Sequence, residues 1–139
     1  MEPDLDWTHN RLQPSMNIRV RLNNFYEGRD VVVIVKCPDD EGQLCGKYIV
    51  GRHSTDASIV AVVLDTQVQF HPAIAKRYHL IPMGGGQFAV DHSEGSIRIS
   101  GRSETYGAEP DRWFTIRALE AALPTYNTFI ESVLPSPGL

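Results

Sequence analysis

His71 is the side chain of this sequence that is best placed for proton transfer. It lies where the β-rich segment "SIVAVVLDTQVQF" passes into "HPAIAKRYHL", in which Pro72 and the Ala and Lys residues favour a helix that begins at His71. Unpaired amides and the dipole at a helix N-terminus disfavour a positive charge, so we expect this imidazole to be neutral at neutral pH. A neutral imidazole can accept a proton, although a histidine at a helix start can also be without catalytic role.

Two glycine-containing segments have the composition of an anion site. The segment "GRSETYG" (residues 101–107) carries hydroxyls on Ser103 and Thr105, a guanidinium on Arg102, and terminal glycines that let several amides converge. The triple glycine at 84–86 offers amides without side chains, either to an anion or for a close approach of another backbone. We predict a phosphate nest at 101–107, and the alternative is an ordinary turn between a strand and a helix.

The remaining reactive residues form no recognisable site. A phosphate loop of the type G-x-x-x-x-G-K-[ST], a G-x-S-x-G motif and a zinc-ligand set are absent from the sequence. Cys37 and Cys45 flank an acidic loop without C-x-x-C spacing, and we interpret them as reduced thiols. We therefore predict no metal and no cofactor. Four other histidines are interpreted as solvated side chains: His9, His53, His79 and His92.

Composition argues against two classes of partner. The chain has 13 Lys and Arg against 17 Asp and Glu, a net charge of −4, and neither sign forms a long block, so we expect no nucleic-acid partner. No apolar run approaches the roughly 18 residues of a membrane span. The start "MEPDLDWTHN" is acidic, unlike a signal peptide. We expect a cytoplasmic protein without membrane contact.

The predicted elements indicate an α/β (α+β) fold, with a small mixed β-sheet flanked by two α-helices in a single domain. Strands are predicted in "RDVVVIVKC", "GKYIVGR", "SIVAVVLDTQVQF", "QFAVD", "SIRIS" and "TYNTFIESV". The helix from His71 should bury Ile74, Tyr78 and Ile81. A second helix, "DRWFTIRALEAAL", should begin near Asp111 and bury Trp113, Ile116, Leu119 and Leu123.

The domain is expected to span residues 17–134. Residues 1–16, rich in Asp, Pro, Asn and Gln, are predicted to be an N-terminal arm that can be disordered, and residues 135–139 a tail.

Three segments in order, "FHPAIAKRY", "GGGQF" and "IRISGRSETYG", resemble the protein histidine phosphatase family, also called Janus/ocnus. That family has an aromatic-His-x-x-Ile helix start, a Gly-Gly-Gly before a strand, and a strand that ends in Gly-x-Ser-x-x-Tyr-Gly. The resemblance covers roughly residues 58–134 and, weakly, the "DVVVIV" strand.

The resemblance implies a metal-independent phosphatase that hydrolyses the P–N bond of phosphohistidine, and in some members phospholysine, in proteins or small molecules. By position, His71 matches the catalytic histidine, as general base or nucleophile, and Ser103 and Thr105 match the phosphate-binding loop. We include Glu104 of that loop and Gly85 of the triple glycine as candidate phosphate-binding residues. A P–N bond becomes labile once its nitrogen is protonated, so positioning with modest acid-base help is sufficient chemistry.

The sequence departs from the family at three places. Arg29 and Asp30 stand where the family has a phosphate-binding lysine, and we take Arg29 as the candidate replacement. Gln87 follows the triple glycine where the family has an arginine. The segment 38–56 has no counterpart and is expected to add a hairpin near the site.

These departures leave two alternatives to the enzyme. One is a non-catalytic module that binds phosphate or a phosphopeptide on the same fold, and the other is an interaction domain whose 101–107 segment is only a turn. For the enzyme, we expect a monomer whose partner is a phosphorylated protein or a small phosphoramidate.

Overall fold

The computed structural model describes residues 16–37, 43–68 and 70–131, and these form a seven-stranded mixed sheet with two helices. The elements in chain order are β1 (Met16–Tyr26), β2 (Arg29–Cys37), β3 (Gln43–His53), β4 (Ile59–Asp65), α1 (His71–Arg77), β5 (Leu80–Asp91), β6 (Ser96–Ser100), α2 (Arg112–Ala122) and β7 (Asn127–Ile130). The spatial order is β1-β2-β4-β3-β5-β6-β7. The predicted α+β class, with a mixed sheet and two helices, is confirmed.

The interior of the sheet is made by the most β-branched segments of the chain. β2 and β4 pair in parallel, and β4 is buried from Val60 to Asp65. Strands that are covered on both faces read as continuous apolar runs, which explains "VVVIV" and "IVAVVL". β3 pairs antiparallel with both β4 and β5, so it lies in the middle of the sheet.

The two helices cover opposite faces of the sheet. Phe114 and Leu119 of α2 pack into the larger core cluster, together with residues such as Phe88 of β5. Ile74 and Ala75 of α1 pack into a smaller cluster on the other face. Because α1 has only seven residues, it leaves concave surfaces on that face, and the two described below lie on either side of it.

The triple glycine lies within β5, where three chain segments approach one another closely. A Cβ on Gly85 would collide with the carbonyl of Tyr48, and one on Gly86 with the carbonyl of Ser100. Gly84, at φ +149°, would place a Cβ against the Ala108–Glu109 peptide. The close-approach interpretation of the three glycines therefore accounts for them.

β1 was not predicted, because its sequence contains many polar residues. Ile18 and Leu22 pack against the core cluster on the α2 side, and the residues between them, Arg19 and Arg21, point to the other face. The strand starts at Met16, the last residue of the predicted arm. Residues 1–15, with His9, and residues 132–139, with the predicted tail, lie outside the described part of the chain.

Both predicted helices are confirmed, but in each the set of buried residues differs from the prediction. Ile81 belongs to β5 and is 43% exposed, and Trp113 on α2 is 63% exposed, whereas Phe114 is buried. Asp111 caps α2 by accepting a hydrogen bond from the Phe114 amide at 3.2 Å. The predicted strand at 58–70 ends at Asp65, and Thr66–Gln67 forms a turn instead.

Two further observations bear on chemistry and location. Cys37 and Cys45 are both free, and burial raises the pKa of the Cys37 thiol to about 12, with a contribution from nearby Asp65. In the part of the chain that the structure describes, no helix is long and apolar enough to cross a membrane.

Candidate functional site

His71 is held in one orientation by the triple-glycine strand. Its side chain is nearly buried, at 5% exposure, and Nε2 lies 2.9 Å from the carbonyl oxygen of Gly86. Because a carbonyl oxygen only accepts, Nε2 must carry the proton. Among the described residues, none forms a hydrogen bond with Nδ1. The neutral ring therefore has its lone pair on Nδ1, free to accept a proton or to attack an electrophile.

The surroundings of His71 lower its pKa below 6.5. Burial of the ring is the main cause, and the ammonium group of Lys47 acts in the same direction. The hydrogen bond to Gly86 and the carboxylate of Glu104 oppose this shift only in part. The predicted neutral imidazole is confirmed, but burial rather than the helix N-terminus is the principal cause.

His71 opens onto a cleft of about 520 Å³ between α1 and the loop that follows β6. The cleft collects side chains from four separate parts of the chain. Those with polar groups are Lys47, His71, Gln87, Arg102, Glu104 and Thr105. Two cationic groups, a hydroxyl and an amide are donors that bind phosphoryl oxygens, whereas the unprotonated imidazole nitrogen is an acceptor that can take a proton or attack an electrophile. Phe70, which is largely exposed, forms part of the rim.

Lys47 is the charged cleft residue that sequence reasoning missed. It lies on β3, within the 38–56 segment that was expected to add a hairpin near the site. β3 is instead an interior strand, and its register pairs Lys47 with Gln87 on β5. The sequence signal that could have identified Lys47 is its position in the otherwise apolar segment "GKYIV". Lysine is rarely buried, so a lysine in an interior strand is a candidate for a site.

Ser103 organises the loop rather than lining the cleft. It is fully buried, and its Oγ accepts hydrogen bonds from the amides of Thr105 at 3.2 Å and Tyr106 at 3.0 Å. Two amides of the predicted phosphate nest are therefore bound to the protein's own hydroxyl. Glu104 and Thr105 line the cleft as predicted, and Ser103 fixes their position.

Gly85 is a structural neighbour of the cleft and not part of its lining. Its amide donates to the carbonyl of Gly107 at 2.9 Å, and its own carbonyl accepts from the Ser103 amide at 3.1 Å. These bonds attach the 101–107 loop to β5. The amide that was predicted to bind phosphate is therefore already used by the fold.

Arg29 lies elsewhere in the molecule. It is at the start of β2, where it borders a small cavity with Tyr26, Met83 and Phe114. The structure does not bring it to His71. A cation reaches the cleft from a different strand, since Lys47 of β3 lines it.

A second polar cluster lies on the other side of β5, around the buried carboxylate of Glu109. Its Oε2 accepts hydrogen bonds from the hydroxyls of Tyr48 at 2.7 Å and Thr115 at 2.6 Å, and Oε1 accepts from Arg112 at 2.9 Å. Burial alone would raise the pKa of Glu109, but these bonds outweigh it and lower the pKa. Burial, followed by the charge and hydrogen bond of Glu109, raises the pKa of Tyr48, and Arg112 acts in the opposite direction. Both carboxylate oxygens of Glu109 are satisfied within the cluster, whereas Nε of Arg112 is buried without a hydrogen-bond partner among the described residues.

The other histidines have local partners or lie on the surface. His53 Nδ1 accepts from the Thr55 amide at 3.2 Å, His92 Nδ1 lies 2.9 Å from the Tyr126 hydroxyl, and His79 is exposed. Within residues 16–37, 43–68 and 70–131, no three His, Cys, Asp or Glu side chains are grouped as metal ligands.

No protein-family model matches this chain, and no curated protein matches it at a significant level. The resemblance to the protein histidine phosphatase family thus stands on the three sequence motifs.

Proposed function

We propose that the protein is a phosphatase that hydrolyses the P–N bond of phosphohistidine, with His71 as its catalytic residue. The observation that carries the proposal is the state of the His71 ring: Nε2–H is bound to Gly86, Nδ1 keeps a lone pair without a partner among the described residues, and the side chain lines a cleft that also contains Lys47. The lowered pKa keeps that lone pair available at neutral pH.

The cleft offers several groups for the phosphoryl oxygens. Lys47 and Arg102 supply positive charge, and Thr105 and Gln87 supply neutral donors. Ammonium and guanidinium groups stabilise the negative charge on the phosphoryl oxygens in the transition state of phosphoryl transfer, and this stabilisation lowers the barrier of the reaction. Thr105 is held at this position by the Ser103 hydroxyl.

Two balanced routes use the same Nδ1 atom. In the first, Nδ1 takes a proton from water while the water oxygen bonds to phosphorus, the P–N bond breaks, and the electron pair remains on the departing imidazole nitrogen. In the second, Nδ1 itself bonds to phosphorus as the P–N bond breaks, and water then releases phosphate from His71. In both routes the departing nitrogen keeps the electron pair of the P–N bond, and the released ring is neutral because the substrate ring already carried a proton on its other nitrogen. In the first route the proton on His71 Nδ1 then passes to solvent.

Glu104 is consistent with an N-phosphorylated substrate. A carboxylate beside a phosphate site weakens the binding of a dianion, but it favours a positive charge nearby. A phosphohistidine ring that is protonated on its other nitrogen carries that charge, delocalised over both ring nitrogens, and this charge makes the P–N bond labile. The side chain therefore favours the labile, protonated form of the substrate over a phosphate monoester.

The decisive experiment measures release of inorganic phosphate from a phosphohistidine peptide, with a chelator present, by the wild type and by matched histidine variants. His71→Ala should lower the rate at least about a hundredfold, because the proton acceptor is removed. His71→Gln, whose side-chain amide can still donate to the Gly86 carbonyl, should be equally inactive. His79→Ala, which alters an exposed histidine at the end of the same segment, should retain full activity.

Two further results would change the assignment. An acid-labile phosphoryl group trapped on His71 would select the nucleophilic route. If the wild type binds phosphate but releases none, the non-catalytic binding module replaces the phosphatase. Gln87 motivates that alternative, since it stands where the family has an arginine and leaves the cleft with less positive charge to stabilise phosphoryl transfer. Because Cys37 and Cys45 are free, we propose a reducing compartment, the cytoplasm, as its location.

A further inference from the structure

A second cavity, of about 370 Å³, lies on the α1 face of the sheet on the β1 side of the helix. It shares no lining residue with the His71 cleft. Its size is within the range of small-molecule sites, and the proposed phosphatase activity makes no use of it.

The floor of this cavity is aliphatic and follows from the strand register. Arg21 pairs with Val32 and Val32 with Ala61, while Arg19 pairs with Ile34 in the neighbouring row. Four apolar side chains thus lie between β1 and β3: Val32, Ile34, Ile59 and Ala61. Three strand spacings separate β1 from β3, about 14 Å, which is enough for a flat ring system.

One side of the cavity carries two arginines on the edge strand β1. Arg21 is paired with Asp30, at 2.6 Å between Nη2 and Oδ2, and still has further N–H groups. Arg19 forms no ion pair with any residue in the described ranges. Both charged side chains that line the cavity are therefore cationic, and Arg19 lacks a counter-ion among the described residues.

The opposite side of the cavity carries the His53 imidazole, which offers a hydrogen-bond donor. His53 Nδ1 accepts a hydrogen bond from the Thr55 amide, so the proton of the neutral ring is on Nε2. Tyr78 closes the cavity next to α1, with its hydroxyl donating to Asp65 at 3.1 Å. The exposed Asp56 lies near His53 and Arg21 and is bound to Ser58, outside the lining.

We propose that this cavity binds a small organic anion, a carboxylate or phosphate attached to a flat apolar body. The anionic group would pair with Arg19 and Arg21, because guanidinium groups bind both anions through two parallel hydrogen bonds. The apolar body would cover the aliphatic floor, and a polar substituent at its far end would accept from His53 Nε2. The proposal is independent of the phosphatase activity.

The test uses the full chain with anilinonaphthalene sulfonate, an aromatic anion that becomes fluorescent in apolar sites. Arg19→Glu should weaken probe binding at least about tenfold, because it reverses the charge that has no counter-ion. Arg117→Glu, on the exposed side of α2, makes the same change in net charge and should alter binding less than about twofold. Circular dichroism confirms that both variants remain folded.

Competition between the probe and small aromatic molecules identifies the chemical group that the cavity binds. Changes in amide NMR shifts show where these molecules bind. Benzoate and phenyl phosphate should displace the probe and shift the amide resonances of β1, β2 and His53. The neutral analogue benzamide should do neither. Whichever of the two anions displaces the probe more effectively decides between a carboxylate and a phosphate. Equal binding by Arg19→Glu and Arg117→Glu, equal displacement by benzamide, or shifts confined to the His71 cleft would each overturn the proposal.

Discussion

The His71 cleft and the Glu109 cluster lie on two sides of the same glycine strand and use their polar groups in opposite ways. Gly86 accepts from His71 on one side, and Gly85 accepts a long 3.5 Å contact from Arg112 on the other. Both oxygens of Glu109 have donors from the protein, whereas Nδ1 of His71 has no partner within the described residues. A polar group that is fully used stabilises the fold, and one that is left open in a cleft is available for chemistry.

The same contrast appears in the electrostatics of the two groups. The pKa of His71 is lowered chiefly because burial disfavours its charged form. For Glu109, burial also disfavours the charged form, but three hydrogen bonds outweigh it, so the carboxylate remains ionised. Burial thus favours the neutral form of His71, whereas hydrogen bonds favour the ionised form of Glu109.

Glu109→Ala should have the largest effect on stability, a loss of about 4 kcal/mol in the free energy of unfolding. The substitution leaves the Arg112 guanidinium and the Tyr48 and Thr115 hydroxyls without their shared acceptor in the core. Chemical denaturation followed by circular dichroism measures the loss.

Glu120→Ala is the matched control, because Glu120 is exposed on the same helix. It should change the free energy of unfolding by less than about 0.5 kcal/mol. If the two variants were equally stable, the Glu109 cluster would not be the structural element that we describe.

Lys47→Ala should lower kcat/KM for phosphohistidine hydrolysis about ten- to a hundredfold, the range expected for one charged hydrogen bond to phosphate. Because Lys47 lines the cleft without an ion pair to a described residue, stability should change little. Lys76→Ala, on the exposed side of α1, should leave kcat/KM unaltered. A loss of activity shared by both variants would point to overall charge rather than to the cleft.

As the pH is lowered, the activity that depends on His71 should be lost before the stability that depends on Glu109. The active form of His71 is neutral and its pKa lies below 6.5, so the enzymatic rate should be constant at high pH and fall as the pH drops through that pKa. The rate without enzyme is subtracted, since the substrate is itself acid-labile. The preference of the folded state for neutral His71 also contributes stability that is present above pH 6.5 and lost below its folded pKa.

Glu109 should respond only at lower pH. Its pKa is lowered from 4.5, so its contribution to stability is present above that pH and is lost as the pH falls through the folded value. We therefore expect an interval in which the protein is folded but inactive. Parallel measurements of rate and circular dichroism test this order, which would be contradicted if both signals were lost together.

Much of the fold could be predicted because it depends on local patterns. Continuous β-branched runs gave β2 and β4, Pro72 marked the start of α1, and the apolar periodicity gave α2. β1 was missed because an edge strand that buries one side needs only alternate apolar residues. Trp113 was assigned to the wrong face because helix periodicity specifies the spacing of a buried stripe but not which neighbouring aromatic residue it includes.

By itself, the sequence identified His71 and the 101–107 loop as candidate site residues, because residue type and chain position define these features locally. Tertiary structure alone decided which charges meet there. Lys47 and Gln87 are adjacent only because β3 pairs with β5 across forty residues, and Arg29 is absent because β2 starts at the other end of the sheet. Strand register decides which residues that are distant in sequence come into contact, and register depends on the packing of the whole sheet.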